Sequence, residues 1–95
     1  MSKTKILVLG DGGWGTTLAI LLNSNGYEVT LWGAFSDYAG FLDKKRVNKR
    51  FLPGVRIPKN IKITADLKEA VYDKDIYVIA VPSQFLRSSL RRFRS

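Results

Sequence analysis

The spacing of apolar positions changes at regular points along this chain. Lys5–Leu9 reads Lys-Ile-Leu-Val-Leu. A short unbroken apolar run of that kind suits a strand covered on both faces, as in a parallel sheet. Glycines follow at once, and from Trp14 the period lengthens. Trp14, Leu18, Leu21 and Leu22 stand at i, i+4, i+7 and i+8, which predicts one stripe of a helix. Asn25-Gly26 ends it, with glycine where a left-handed C-cap is wanted. Glu28–Trp32, rich in β-formers, predicts a second strand. Strand, glycine turn, helix and strand together have the size of a βαβ unit, whose crossover is right-handed.

Ser36 or Asp37 is placed to cap a second helix running to about Arg46. Residues 48–59 contain Pro53-Gly54 and Pro58 and read as a loop. Ile61–Thr64 alternates as a short strand. Asp66, with Glu69 three residues on, forms a capping box for a short helix carrying Leu67, Ala70 and Val71. Ile76–Val81 is a fourth apolar strand ended by Pro82. Ser83 then caps a last helix with Phe85, Leu86, Leu90 and Phe93 facing inward. Four strands alternating with four helices predict an α/β, doubly wound parallel sheet ordered 3-2-1-4. A complete dinucleotide-binding sheet has about six strands. Residues 1–95 therefore read as a partial dinucleotide-binding domain, with the fourth strand at a raw edge.

Composition narrows the chemistry. Cysteine and histidine are both absent, which removes disulfides, thiolate zinc sites, cysteine nucleophiles and the commonest general base. No apolar run approaches the ~20 residues of a membrane helix. The N-terminus lacks a long apolar signal region, so a cytoplasmic location is expected. Sixteen basic and eight acidic residues give a net charge of +8. Most of the excess lies in two clusters, Lys44, Lys45, Arg46, Lys49 and Arg50, and then Arg87, Arg91, Arg92 and Arg94. These read either as a solvated basic face or as a nucleic-acid surface. A positive field also suits phosphorylated ligands.

The loop at Gly10–Gly15 is GDGGWG, or Gly10-x-Gly12-x-x-Gly15. Gly10 makes the tight turn off the strand, Gly12 lets backbone approach a pyrophosphate, and Gly15 lets the helix pack close to the sheet. The helix N-terminus presents N–H groups and the positive end of its dipole. The loop follows a strand, opens an amphipathic helix and leads to a second strand, which is the context the motif requires. Asp11 is anomalous there, because a carboxylate repels phosphate; the expectation is that its side chain points away. The acid that ordinarily binds the adenosine ribose, about 20 positions on, is missing from Trp32-Gly33-Ala34-Phe35-Ser36-Asp37. Asp37 is slightly late but within reach. Phe35 either lies against an adenine or caps the core.

GDGGWGTTLA, LWG, NKRFLPG with Ile57-Pro58, Thr64-Ala65-Asp66-Leu67 and AVPSQFLR together resemble the N-terminal, Rossmann-type domain of NAD(P)-dependent glycerol-3-phosphate dehydrogenase. The resemblance runs from about Lys5 to Arg92. It implies an oxidoreductase that interconverts dihydroxyacetone phosphate and sn-glycerol 3-phosphate with NAD or NADP, for phospholipid synthesis. It further implies a homodimeric full-length enzyme. Gly10, Asp11, Gly12, Gly13, Trp14 and Gly15 match the residues that hold the pyrophosphate. Ala34 and Phe35 match those at the adenosine end, Phe51 a further cofactor contact, and Phe85 an aromatic beside the nicotinamide half. Family members preferring NADP carry a basic residue at the second strand's end; none is present here, which favours NAD. The family's substrate and catalytic lysines fall beyond residue 95, and Lys44, Lys45 and Lys49 do not match them. No catalytic or metal-binding residue is expected in this segment. The helical substrate domain is absent, so the chain alone is expected to be inactive and to bind NAD(H) weakly. A non-catalytic NAD-binding regulatory module and a basic nucleic-acid-binding domain are the alternative readings.

Overall fold

The computed structural model describes residues 3–48 and 52–80, with only the backbone of Leu52 and Pro53. Nine elements follow one another: β1 (Lys5–Leu9), α1 (Gly13–Ser24), β2 (Glu28–Trp32), α2 (Ser36–Lys45), β3 (Val47–Asn48), β4 (Leu52–Arg56), β5 (Lys62–Thr64), α3 (Leu67–Val71) and β6 (Ile76–Ile79). Four of them form a sheet in the order β5-β2-β1-β6. Every pairing in it is parallel: Lys5 opposes Glu28, Ile6 opposes Ile76, and Thr30 opposes Lys62. These are the four strands expected from the sequence, in the expected 3-2-1-4 arrangement.

The sheet is covered on both faces, and strand alternation divides the core in two. Ile6 and Val8, with Val29, Leu31 and Ile63, pack against Ala19 of α1 and Ala39 and Leu42 of α2. Leu7, Leu9 and Trp32 face the other way, onto Ala70 of α3. That two-sided burial is why β1 carries no polar position after Lys5. Trp32 is fully buried, and its indole N–H donates to the Ala65 carbonyl at 3.1 Å. At the sheet's end β6 is much more open, with Ile76, Tyr77 and Ile79 exposed.

Four details differ from the sequence-based expectation. Residues 48–59 are not simply a loop: β3 and β4 pair antiparallel, with an irregular register between Val47 and Asn48. Pro53 reads as a breaker, but both strands of a two-stranded ribbon are edges, and an edge tolerates proline. The stripe on α1 is rotated. Gly15, Thr16 and Ala19 are its buried residues, whereas Trp14 and Leu21 are exposed. Small residues let the helix sit close to the sheet, and they carry no weight in an apolar periodicity. Neither Ser36 nor Asp37 caps α2; Phe35 is the N-cap, without a side-chain hydrogen bond, and Asp37 lies in the first turn. The capping box on α3 does form, with Asp66 accepting from the Glu69 amide at 3.2 Å. The helix expected from Ser83 lies outside the described residues.

The fourth difference concerns Arg46. It is not part of a solvated basic face. It stands just past α2 in the left-handed region, at φ 59°. Its guanidinium donates to the carbonyls of Pro58 and Ile61 and pairs with Asp43 at 2.7 Å. Its own carbonyl accepts from the Ile57 amide at 2.7 Å. One side chain thus holds the end of α2 to the segment entering β5.

Candidate cofactor site

Ligands of open parallel sheets bind beyond the C-terminal ends of the strands, where the strand order reverses. In this sheet that place lies between β1 and β6, above Leu9 and Ile79, with the end of β2 at Trp32 alongside. The glycine loop occupies it. Gly10 leaves β1 at φ 122° and donates its N–H to the Trp32 carbonyl at 2.9 Å. Few L-residues adopt that backbone conformation, so glycine is required there by conformation. Gly15 is required by packing, since a Cβ on it would overlap the Gly10 carbonyl oxygen and lie 2.9 Å from the Gly10 carbonyl carbon.

Gly12 is different. It is the N-cap of α1 with φ −72° and ψ −173°, open to any residue, and a Cβ built on it meets no atom within 4 Å. Neither backbone strain nor packing accounts for a glycine at this position. No side chain caps α1 and no acidic residue lies in its first turn. At the α1 N-terminus, with Gly13 as its first helical residue and Trp14 projecting outward, no side chain of α1 therefore offsets the positive end of the helix dipole. Trp14 and Phe35 are each 68% exposed, and Ala34 is exposed beside Phe35 at the end of β2. Phe51 and Phe85 lie outside the described residues. The structure thus gathers Gly10, Asp11, Gly12, Gly13, Trp14 and Gly15 at one strand end, with Ala34 and Phe35 on the adjacent one.

Asp11 turns its side chain toward β2. A Cβ on Gly33 would overlap Asp11 Oδ2 and lie 2.6 Å from its Cγ, so the carboxyl fills the space that a side chain at 33 would take. Asp11 Oδ2 is buried without a hydrogen-bond partner among the described residues. Burial pushes the carboxyl above the usual carboxylate range, offset in part by its own backbone amide. The Asp11 carbonyl faces the other way. It accepts from the Thr16 hydroxyl at 3.2 Å and from Asn48 Nδ2 at 2.7 Å.

Asn48 is the residue that sequence reasoning missed. It is fully buried, and the same Nδ2 donates to Thr16 Oγ1 at 2.7 Å while its Oδ1 accepts from the Tyr38 hydroxyl. One amide therefore ties α2 and β3 to the glycine loop and the first turn of α1. A lone asparagine at the edge of an apparent loop carries no periodic signal, and only its place at the head of the NKRFLPG motif distinguished it.

The opposite end of the sheet has a shallow cleft lined by Lys5, Glu28, Thr30, Lys62 and Lys74 among others. Two of its four lysines pair with acids, Lys5 with Asp73 at 2.7 Å and Lys62 with Glu69. This is a surface of mixed charge at the wrong end of a parallel sheet for a nucleotide. Among the described residues no group of acids could hold a metal ion, and no helix is long and apolar enough to cross a membrane.

The family described as the NAD-dependent glycerol-3-phosphate dehydrogenase N-terminus matches residues 5–95. The chain belongs to that family. A glycerol-3-phosphate dehydrogenase [NAD(P)+] of Syntrophomonas wolfei is 48% identical over 90 residues, covering 95% of this chain and 26% of that protein. The corresponding Fusobacterium nucleatum protein is 51% identical over 84 residues, covering 88% of this chain and 25% of that protein. The chain thus spans about a quarter of the length of the curated relatives it matches. The crystal structure of glycerol-3-phosphate dehydrogenase from Coxiella burnetii superposes with a TM-score of 0.91 at 35% identity. The superposition covers 97% of this chain and 28% of that one. The four-stranded parallel sheet is therefore the Rossmann-type sheet of this family.

Proposed function

We propose that residues 1–95 are the leading part of the cofactor domain of an NAD(P)-dependent dehydrogenase that interconverts dihydroxyacetone phosphate and sn-glycerol 3-phosphate. Gly12 carries the reading. It is a glycine that the fold itself does not require, at the uncapped mouth of α1, and a diphosphate is the group that would use the space a Cβ would fill. The residues present fit that group. Backbone amides of Gly12, Gly13 and Trp14 would take its oxygens, and Ala34 and Phe35 would flank the adenosine. When bound, the nicotinamide supplies the hydride chemistry, and the protein's share is binding and orientation.

The relatives' names support glycerol 3-phosphate as substrate, NAD or NADP as cofactor, and an oxidoreductase class. We place the enzyme in the cytoplasm, as a homodimer feeding glycerophospholipid synthesis. The catalytic lysines are expected in the part of the family's length that this segment does not span, so the segment alone is inactive and holds cofactor weakly. The inward turn of Arg46 takes one cation from the basic cluster and weakens the nucleic-acid reading. Calorimetric titration with NADH, NADPH and single-stranded DNA tests the proposal. Nucleotide binding that is lost in Gly12→Val, in a variant that still melts like the wild type, is the expected result. Salt-sensitive DNA binding with no nucleotide signal would overturn it.

A further inference from the structure

The ribose-binding acid of a dinucleotide fold ordinarily stands at the end of the second strand. Here β2 ends in Trp32, Gly33, Ala34 and Phe35, without an acid. A carboxyl nevertheless lies at that strand end, because Asp11 reaches across from the glycine loop and packs on Gly33. Glycine at 33 is what admits it, since any side chain there would collide with Asp11 Oδ2 and Cγ. Among the described residues Asp11 Oδ2 has no hydrogen-bond partner, although buried polar atoms nearly always have one. Asp11 as a residue is half-buried, while its Oδ2 is closed to solvent in the gap beside Gly33. No lysine or arginine occupies residues 33–37 to receive a phosphate.

We infer that Asp11 is the cofactor-specificity residue: its carboxylate accepts the adenosine ribose hydroxyls from the glycine loop and repels a 2′-phosphate, selecting NAD over NADP. The inference rests on the dinucleotide reading of the site and deepens it. Two independent features meet in it, a strand end lacking its usual acid and an unpartnered acid delivered to the same place by a different element. A hydroxyl donor from the ligand supplies the partner that the chain does not. A 2′-phosphate at the same position sets charge against charge.

The test is the ratio of NADH to NADPH dissociation constants for this chain, by calorimetry at millimolar nucleotide, in the wild type, Asp11→Ala and Asp11→Asn. Asp11→Ala should weaken NADH about tenfold by losing a charge-assisted hydrogen bond. It should also strengthen NADPH by a similar factor, collapsing the ratio about a hundredfold. Asp11→Asn keeps the shape and an acceptor, so it should recover NADPH while retaining more NADH affinity than Ala. That split distinguishes a ligand contact from a structural role, and melting curves check that both variants fold. If both variants bind both nucleotides at the wild-type ratio, the role of Asp11 is refuted while the glycine-loop reading stands. If the folded wild type binds neither nucleotide, both readings fall together.

Discussion

Two glycines, each inside a helix and each replaced by alanine, should move stability in opposite directions. Gly40 lies in α2, exposed, and a Cβ there meets nothing within 4 Å. Alanine at that position gains the full helix-propensity difference of about 1 kcal/mol. Gly15 lies in the first turn of α1, buried, where a Cβ would overlap the Gly10 carbonyl oxygen. Its neighbours are backbone atoms of a turn already held at φ 122°, so they cannot swing aside as a side chain would. Overpacking costs about 1–3 kcal/mol, and a backbone collision belongs at the upper end. With the propensity gain subtracted, Gly15→Ala should lose about 2 kcal/mol. In a domain of this size 1 kcal/mol is worth about 4–8 °C of melting temperature. Gly40→Ala should therefore melt about 4–8 °C above the wild type, and Gly15→Ala about 8–16 °C below it. Thermal unfolding followed by circular dichroism reads both. A Gly15→Ala variant that melts at or above the wild type would refute the claim that α1 is held against the glycine turn at backbone contact.

Asp11→Ala should raise the stability of the ligand-free chain in a pH-dependent way. The folded carboxyl sits above its ordinary 3.8 because of burial. Between that value and the folded one, the folded state keeps a proton that the unfolded state releases. Wild-type stability therefore falls as pH rises through that window and stays low above it. The gain from alanine should be absent below the ordinary value and reach about 1 kcal/mol at neutral pH, the low end for an unpartnered buried polar group that is partly open to solvent. Urea titrations across pH measure it, and a gain that shrinks as pH rises would reverse the sign argued here. Arg46→Ala removes the guanidinium bonds to Pro58, Ile61 and Asp43 while leaving a non-glycine residue at positive φ. It should cost about 2–3 kcal/mol, and Arg46→Gly less, because glycine relieves the strain. Equal losses in the two variants, read by chemical denaturation, would mean that the left-handed backbone contributes nothing.

In the sheet, β1 was legible because a parallel strand buried on both faces leaves an unbroken apolar run, and β2 because Glu28–Trp32 is rich in β-formers. The glycine loop was legible because three different physical demands fall on glycines at fixed spacing between a strand and a helix. The β3–β4 ribbon was not, since Pro53-Gly54 signals a break whether or not the flanking residues pair. The buried face of α1 was misplaced because Gly15, Thr16 and Ala19 have little apolar weight, although they make the close approach. The unusual character of Asp11 could be seen from the sequence, but its resting place could not. That depends on the gap at Gly33, 22 positions away along the chain and adjacent only once β1 and β2 are paired.

The Asn48 amide has a dynamic consequence. It hangs the glycine turn and the first turn of α1 from β3, 37 and 32 residues downstream, so the loop and the ribbon cannot loosen independently. A nucleotide that stills the turn must also still Val47–Asn48 and the strand beside it, and by thermodynamic reciprocity anything that clamps the ribbon sharpens the turn for its ligand. Amide hydrogens on β3 and β4, remote from any phosphate, should then exchange more slowly once the cofactor is bound.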